Sequence, residues 1–174
     1  KENSVEVHHL KYSYPKTNYD IFKTKSFTFK RNKLIAIQGE SGSGKTTLGK
    51  IIMGLVNPDQ GEIYINHLNL TDDFAKRQKL VGYIPQNVKL FESTILDNIR
   101  YTCSKTITKL YLDNWIMEKG VRHILMKNSQ DINYLERNVG VAGSELSGGQ
   151  KQIIIILRTF LANKCSKSKK TIFI

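Results

Sequence analysis

The chain has 174 residues, 40% hydrophobic and 24% charged, with a formal net charge of +12. That length suffices for one medium domain with its own core. No run approaches the ~18 apolar residues of a membrane span, and the start "KENSVEVHHL" has neither a signal-peptide core nor a transit pattern, so insertion or export directed by the chain itself is not expected.

In chain order, "SVEVHHLKYSY" begins with apolar/polar alternation and "SFTFK" continues it, which predicts an antiparallel strand pair. "KLIAIQG" is a continuous apolar run ending in Gly, the pattern of a central parallel strand buried on both faces. "KTTLGKIIMGL" has helical spacing, "NPDQG" reads as a turn and "EIYIN" as an alternating strand. "TDDFAKRQKL" predicts a short polar helix and "VGYIP" a second buried strand. From "STILDNI" to "HILMKN" the pattern is helical, broken at Gly120. "NSQDINYLERNVGVAGSE" has no strong period and reads as an extended loop. "SGGQKQIIIILRTFLANK" predicts a helix with Ser147 as N-cap, whose longest apolar run is Ile153 to Leu157. "CSKSKK" is a polar loop and "TIFI" a final strand. There are no internal repeats. The order fits an α/β core with a β-rich flank and a helical subdomain.

Cys103 and Cys165 lack C-x-x-C spacing and are expected as two reduced thiols of a cytoplasmic protein. His8, His9, His67 and His123 have no metal-ligand spacing and read as structural or surface residues. Two basic clusters stand out: Lys23, Lys25, Lys30, Arg31 and Lys33, then Lys164, Lys167, Lys169 and Lys170. Both are expected at turns, and without interleaved aromatics they read as solvated surface rather than a nucleic-acid footprint.

"GESGSGKT", Gly39 to Thr46, matches G-x-x-x-x-G-K-[ST] between a strand and a helix. Its members are Gly39, Glu40, Ser41, Gly42, Ser43, Gly44, Lys45 and Thr46, with Thr47 following. Gly39, Gly42 and Gly44 let the backbone turn tightly and approach phosphates. Successive N–H groups then converge at a helix N-terminus, which favours an anion. Lys45 adds a positive charge for the β- and γ-phosphates, and Thr46 a hydroxyl for Mg²⁺. The motif predicts nucleoside triphosphate binding. Kinases, GTPases, motors and transporters all share it, so the reaction stays open at this point.

"LSGGQ", Leu146 to Gln150, follows about a hundred residues after Lys45. It too is an anion-type site, with amides and a hydroxyl at a helix start. Together, "GESGSGKTT" and "LSGGQ" resemble the nucleotide-binding domain of an ABC ATPase, and the resemblance covers essentially the whole chain. It implies an α/β P-loop NTPase (RecA-like) core with an antiparallel β flank and a helical subdomain. The core is expected from residues 1–86 and 151–174, and the helical subdomain from 87–150. It also implies ATP and Mg²⁺ as cofactors. In the family the signature residues, here Ser147, Gly148, Gly149 and Gln150, contact ATP held by a second nucleotide-binding domain in a head-to-tail dimer. Tyr14 falls where the family has an aromatic that stacks on adenine. Gln86, in "GYIPQ", falls at the Q-loop position, which reaches Mg²⁺ and the attacking water.

"VKLFESTILDNI" resembles the exporter branch. This implies a transmembrane partner, fused or separate, at the cytoplasmic face of a membrane, and ATP hydrolysis driving transport of an unidentified substrate. The chain departs from the exporter pattern at Val141, where a Glu is expected, and at Lys151, Gln152 and Ile153 after the signature. Arg158 keeps a commonly retained Arg. "TIFI" resembles the Walker B strand, whose following Asp and Glu would bind Mg²⁺ and act as general base. The domain is therefore expected to be missing its C-terminal part, with no catalytic residue in this chain, weak ATP binding at best and negligible turnover. Two other readings stand beside this one: a soluble ABC ATPase acting on nucleic acid or ribosomes, and a nucleotide-binding module that never hydrolyses.

Overall fold

The computed structural model describes residues 4–15, 19–30, 33–103, 107–166 and 172–174. The chain divides into two compact units, one running to Val81 and including Ile172 and Ile174, the other built from Gly82 onward and including Phe173.

The first unit is organised by an antiparallel sheet. Strands β1 (Ser4–Ser13), β2 (Asp20–Lys30), β3 (Gln60–Ile65) and β4 (Leu68–Asn69) lie in the order β2-β1-β3-β4. The expected pairing of the first two strands is present, with Val5 opposite Phe29 and Val7 opposite Phe27. The alternation in β1 slips midway because of a bulge. Val5 and Val7 face the core, the register shifts around His9 (φ 51°), and Leu10 and Tyr12 then face the same core. One inserted residue keeps the apolar side inward while the strand bends. Gly61 on β3 answers that bend. A Cβ there would sit 2.7 Å from the His8 carbonyl oxygen and 2.9 Å from the Leu10 Cα, so only glycine allows the approach.

Helix α1 (Lys45–Ile52) lays Leu48, Ile51 and Ile52 into this core beside Ile63 and Ile65. Helix α2 (Phe74–Leu80) is capped by Asp73, whose carboxylate accepts from the Lys76 N–H at 2.9 Å. This is the short polar helix expected, but it carries a fully buried Arg77. The Arg77 guanidinium donates to the Ile51 carbonyl, in the last turn of α1, and to the Thr71 carbonyl at 3.0 Å, and lies 4.9 Å from the Phe74 ring centre. Burial pulls its pKa below the usual arginine value, and Asp72 and Asp73 oppose that. The Ile51 carbonyl also accepts from the Gly54 N–H at 3.0 Å, and a cation at a helix C-terminus is favourable through the dipole.

The second unit is helical: α3 (Ile95–Arg100), α4 (Lys109–Glu118), α5 (Arg122–Leu125) and α6 (Gly148–Cys165). Thr94 and Thr108 cap α3 and α4, and the expected break at Gly120 separates α4 from α5. Their core joins Ile95, Ile99, Leu112, Trp115 and Ile116 to Ile154, Leu157 and Leu161 of α6. The segment expected as an extended loop carries two 3₁₀ turns, Tyr134–Glu136 and Val141–Gly143, and buries Tyr134, Leu135 and Val139. Anchors spaced this irregularly leave no period to read. Residues 151–165, expected with the ATP-binding core, form most of α6 and pack in this unit.

Other expectations are corrected. "KLIAIQG" forms no strand: residues 33–40 are irregular, and Leu34, Ile35 and Ile37 are exposed. A parallel strand exists only through hydrogen-bonding neighbours and cover on both faces, and no described strand pairs with this run. For the same reason "VGYIP" is a strand only at Val81–Gly82 (β5), with Tyr83 exposed. It pairs with β6 (Ile172–Phe173), the strand expected in "TIFI". Lys23, Lys25 and Lys30 lie exposed on β2 rather than in a turn, because β2 is longer than its apolar half suggests. Lys164 falls in the last turn of α6. Arg31, Lys167, Lys169 and Lys170 lie outside the described residues.

The two cysteines, expected as separate thiols, form a disulfide between the end of α6 and the segment after α3, with Cα atoms 5.9 Å apart. Their separation of 62 residues gives no local signal of pairing. It arises because α3 and α6 pack together.

Candidate functional site

The glycine-rich loop opens α1 in the first unit. Gly42 (φ 83°) and Gly44 (φ 90°) occupy the left-handed region. At Gly44 a Cβ would also lie 2.5 Å from Ile21 and 2.8 Å from Phe22, so conformation and space both require glycine. The loop closes through the Ser43 N–H on the Glu40 carbonyl at 3.2 Å. The first helical bond runs from the Leu48 N–H to the Gly44 carbonyl at 2.8 Å. The amides of Lys45, Thr46 and Thr47 therefore have no acceptor within the helix, and Gly44 brings no side-chain cap.

Lys45 folds back over this turn. Its ammonium donates to the Gly39 carbonyl at 2.8 Å, the Glu40 carbonyl at 2.6 Å and the Ser43 hydroxyl at 3.3 Å. Thus Gly39, Glu40, Ser43 and Lys45 are brought around one ammonium. Ser41 and Thr46 are exposed beside it, and Thr47 is buried. Uncapped amides, a primary ammonium and a free hydroxyl form a donor set that fits a polyphosphate, and the Thr46 hydroxyl fits a hard cation.

Tyr14 follows β1 and is 40% exposed. Its hydroxyl shares a 2.8 Å hydrogen bond with the Thr47 hydroxyl, and its ring meets the Tyr12 ring edge-on at 5.3 Å. The aromatic singled out in the sequence thus stands at the first turn of α1. The bond to Thr47 has no sequence signal, because the partners are 33 residues apart.

In the second unit, Gln86 is exposed in the loop after β5. Ser147 caps α6 as expected: its hydroxyl accepts from the Gln150 N–H at 3.2 Å, and its own N–H donates to the Gln150 Oε1 at 3.1 Å. This reciprocal pair is a capping box. The Gln150 amide also donates to the Ile124 carbonyl at 3.0 Å, tying the signature to α5. Ser147, Gly148 and Gly149 remain exposed. Val141, in the place of an expected Glu, is exposed in its 3₁₀ turn, and Ile153 packs on the core rather than making a polar contact.

Arg158 donates to the Asn98 carbonyl at 2.6 Å and to its Oδ1 at 2.8 Å, and lies 5.2 Å from the Phe91 ring centre. Asn98, fully buried, donates to the carbonyls of Phe91 at 2.9 Å and Thr94 at 3.0 Å. The signature helix is thereby bonded to the segment after Gln86. Burial pulls the Arg158 pKa below its usual value. Sequence reasoning named Arg158 but missed Asn98, an unremarkable polar residue in a helical stretch. Among the described residues no group of His, Cys, Asp or Glu could hold a metal, and no helix is long and apolar enough to cross a membrane.

The model of the ABC transporter family matches residues 22–165. An uncharacterized ABC transporter ATP-binding protein of Bacillus subtilis is 34% identical over 158 residues, covering 90% of this chain and 27% of that protein. A β-(1→2)glucan export ATP-binding/permease protein of Bartonella bacilliformis is 31% identical, covering 93% of this chain and 27% of its own length. A pediocin PA-1 transport/processing ATP-binding protein of Pediococcus acidilactici is 30% identical, with 91% and 22% covered. The chain thus spans about a quarter of the length of these relatives. The structure of a bacterial Atm1-family ABC exporter with ATP bound matches with a TM-score of 0.78 over 99% of this chain and 34% of that one, at 23% identity, which supports the α/β fold. The chain belongs to the ABC transporter family.

Proposed function

We propose that this chain is the ATP-binding part of an exporter-type ABC ATPase, whose complete form hydrolyses ATP to move a substrate across a membrane. The observation that carries the reading is the uncapped start of α1, where three amides without an intrahelical acceptor adjoin the Lys45 ammonium. Gly39 to Thr47 would hold the triphosphate, Tyr14 would stack on the base, and Thr46 would ligate Mg²⁺. Gln86 is assigned to the metal by its place in the motif. Mg²⁺ supplies charge neutralisation at the phosphates. Ser147, Gly148, Gly149 and Gln150 are assigned to the ATP of a second nucleotide-binding domain, and a transmembrane domain to the cytoplasmic-face partner. Relatives named for glucan export and pediocin transport support export while leaving the cargo unassigned.

This chain has no acidic residue after Glu145, so a Walker B Asp and a following Glu are not among its residues. Loss of a general base typically lowers a rate by ~10²–10⁴-fold. We therefore infer binding without appreciable turnover. Purified chain titrated with MgATP and assayed for phosphate release tests both parts: saturable binding with negligible release is expected. Release at the rate of a complete ABC ATPase would contradict the second part, and absence of binding the first.

A further inference from the structure

We infer that the Thr47 hydroxyl is a positioning group for base recognition: by pinning the Tyr14 ring to the first turn of α1, it presets the distance between the base-facing aromatic and the phosphate loop. The inference rests on the nucleotide-site reading above and deepens it, since it makes a purine nucleoside triphosphate bind as one preorganised unit.

Three holds act on the segment around Tyr14. The residue before it is fixed at its backbone N–H and its hydroxyl: the Ser13 N–H donates to Asp59 at 2.8 Å and the hydroxyl to Asp20 at 2.7 Å. The ring rests edge-on against the buried Tyr12. Its tip is bonded to Thr47. A threonine hydroxyl in a helix ordinarily bonds back to the preceding turn. Here the buried Thr47 hydroxyl meets a side chain from another element instead. A tyrosine held at its tip has little rotamer freedom left to lose when a base stacks on it, so affinity for the base rises without a new contact. The ring itself stays exposed enough to be covered. A ligand without a base gains nothing from this arrangement, so the bond sets preference between nucleotide and bare polyphosphate.

The test is a calorimetric comparison of MgATP and magnesium tripolyphosphate on four variants of the chain. Tyr14→Phe keeps the ring and removes the bond. Thr47→Val keeps the shape and removes the hydroxyl, and Thr47→Ser restores it. The fourth is the double variant Tyr14→Phe/Thr47→Val. Tyr14→Phe and Thr47→Val should each weaken MgATP about threefold to tenfold, the span of one net hydrogen bond. The double variant should lose no more than either single one, and Thr47→Ser should recover wild-type affinity. Tyr14→Phe should leave tripolyphosphate affinity within about twofold, because no base is there to stack. Unchanged MgATP affinity in Tyr14→Phe, equal weakening of both ligands by Tyr14→Phe, or additive losses of MgATP affinity in the double variant would overturn the inference alone. Wild-type chain that binds neither ligand would overturn the nucleotide-site reading and this inference with it.

Discussion

The chain has two glycine-rich helix starts, and they are built in opposite ways. Helix α6 satisfies itself: Ser147 and Gln150 exchange hydrogen bonds, and the Gln150 amide reaches the Ile124 carbonyl. Helix α1 does not, because Gly44 offers no cap and Lys45 covers the turn with charge. A helix start that remains uncapped next to an ammonium is stabilised by an anion from outside. One that is boxed presents a rigid pair of glycines instead. The same chemistry, amides at a dipole end, is left open in one place and framed in the other.

The units also differ in how they are held together, and this difference is the easiest to break. Only the second is stapled among the described residues, by Cys103 and Cys165. A disulfide of this kind is typically worth about 2–4 kcal/mol. Cys103→Ser should lower stability by that amount in a urea transition followed through Trp115, the only tryptophan, buried in the second core. Hydrogen exchange in β1–β3 should change far less. Next comes Gly44→Ala, which imposes a left-handed alanine and an overlap with Ile21 and Phe22. Its expected cost is about 2–3 kcal/mol, read as faster exchange in α1 with the Trp115 transition unmoved. Ser147→Ala removes one half of the capping box and should cost about 1 kcal/mol in the Trp115 transition.

The smallest effect is a pH dependence. Hydroxyl bonds from Ser93 and Thr94, with Arg100, hold the Asp97 carboxyl below its usual pKa despite partial burial. A depressed folded pKa contributes stability that is complete above the unfolded value, near 3.9, and is lost as pH falls through the folded one. Wild-type stability should therefore fall with pH below about 4 more steeply than that of Asp97→Asn. Parallel curves would show that the carboxylate contributes nothing.

Much of this was legible because it is local. The helix at Lys45, the cap at Ser147, the break at Gly120 and the β1–β2 pair each follow from a short pattern. What failed depended on distant partners. "KLIAIQG" has the composition of a buried strand but no described strand bonded to it. Cys103 finds Cys165, Tyr14 finds Thr47 and Arg77 finds the end of α1 only after folding. The phosphate loop and signature were readable as motifs, while the bonds that brace them were not.

The most direct test of the central claim is equilibrium titration of the chain and its Lys45→Ala variant with MgATP. Saturable binding by the chain, weakened at least about tenfold by loss of a charge-assisted contact in the variant, is the predicted result. Equal affinity in the two proteins, or none in either, would contradict the assignment of this loop as the ATP cradle.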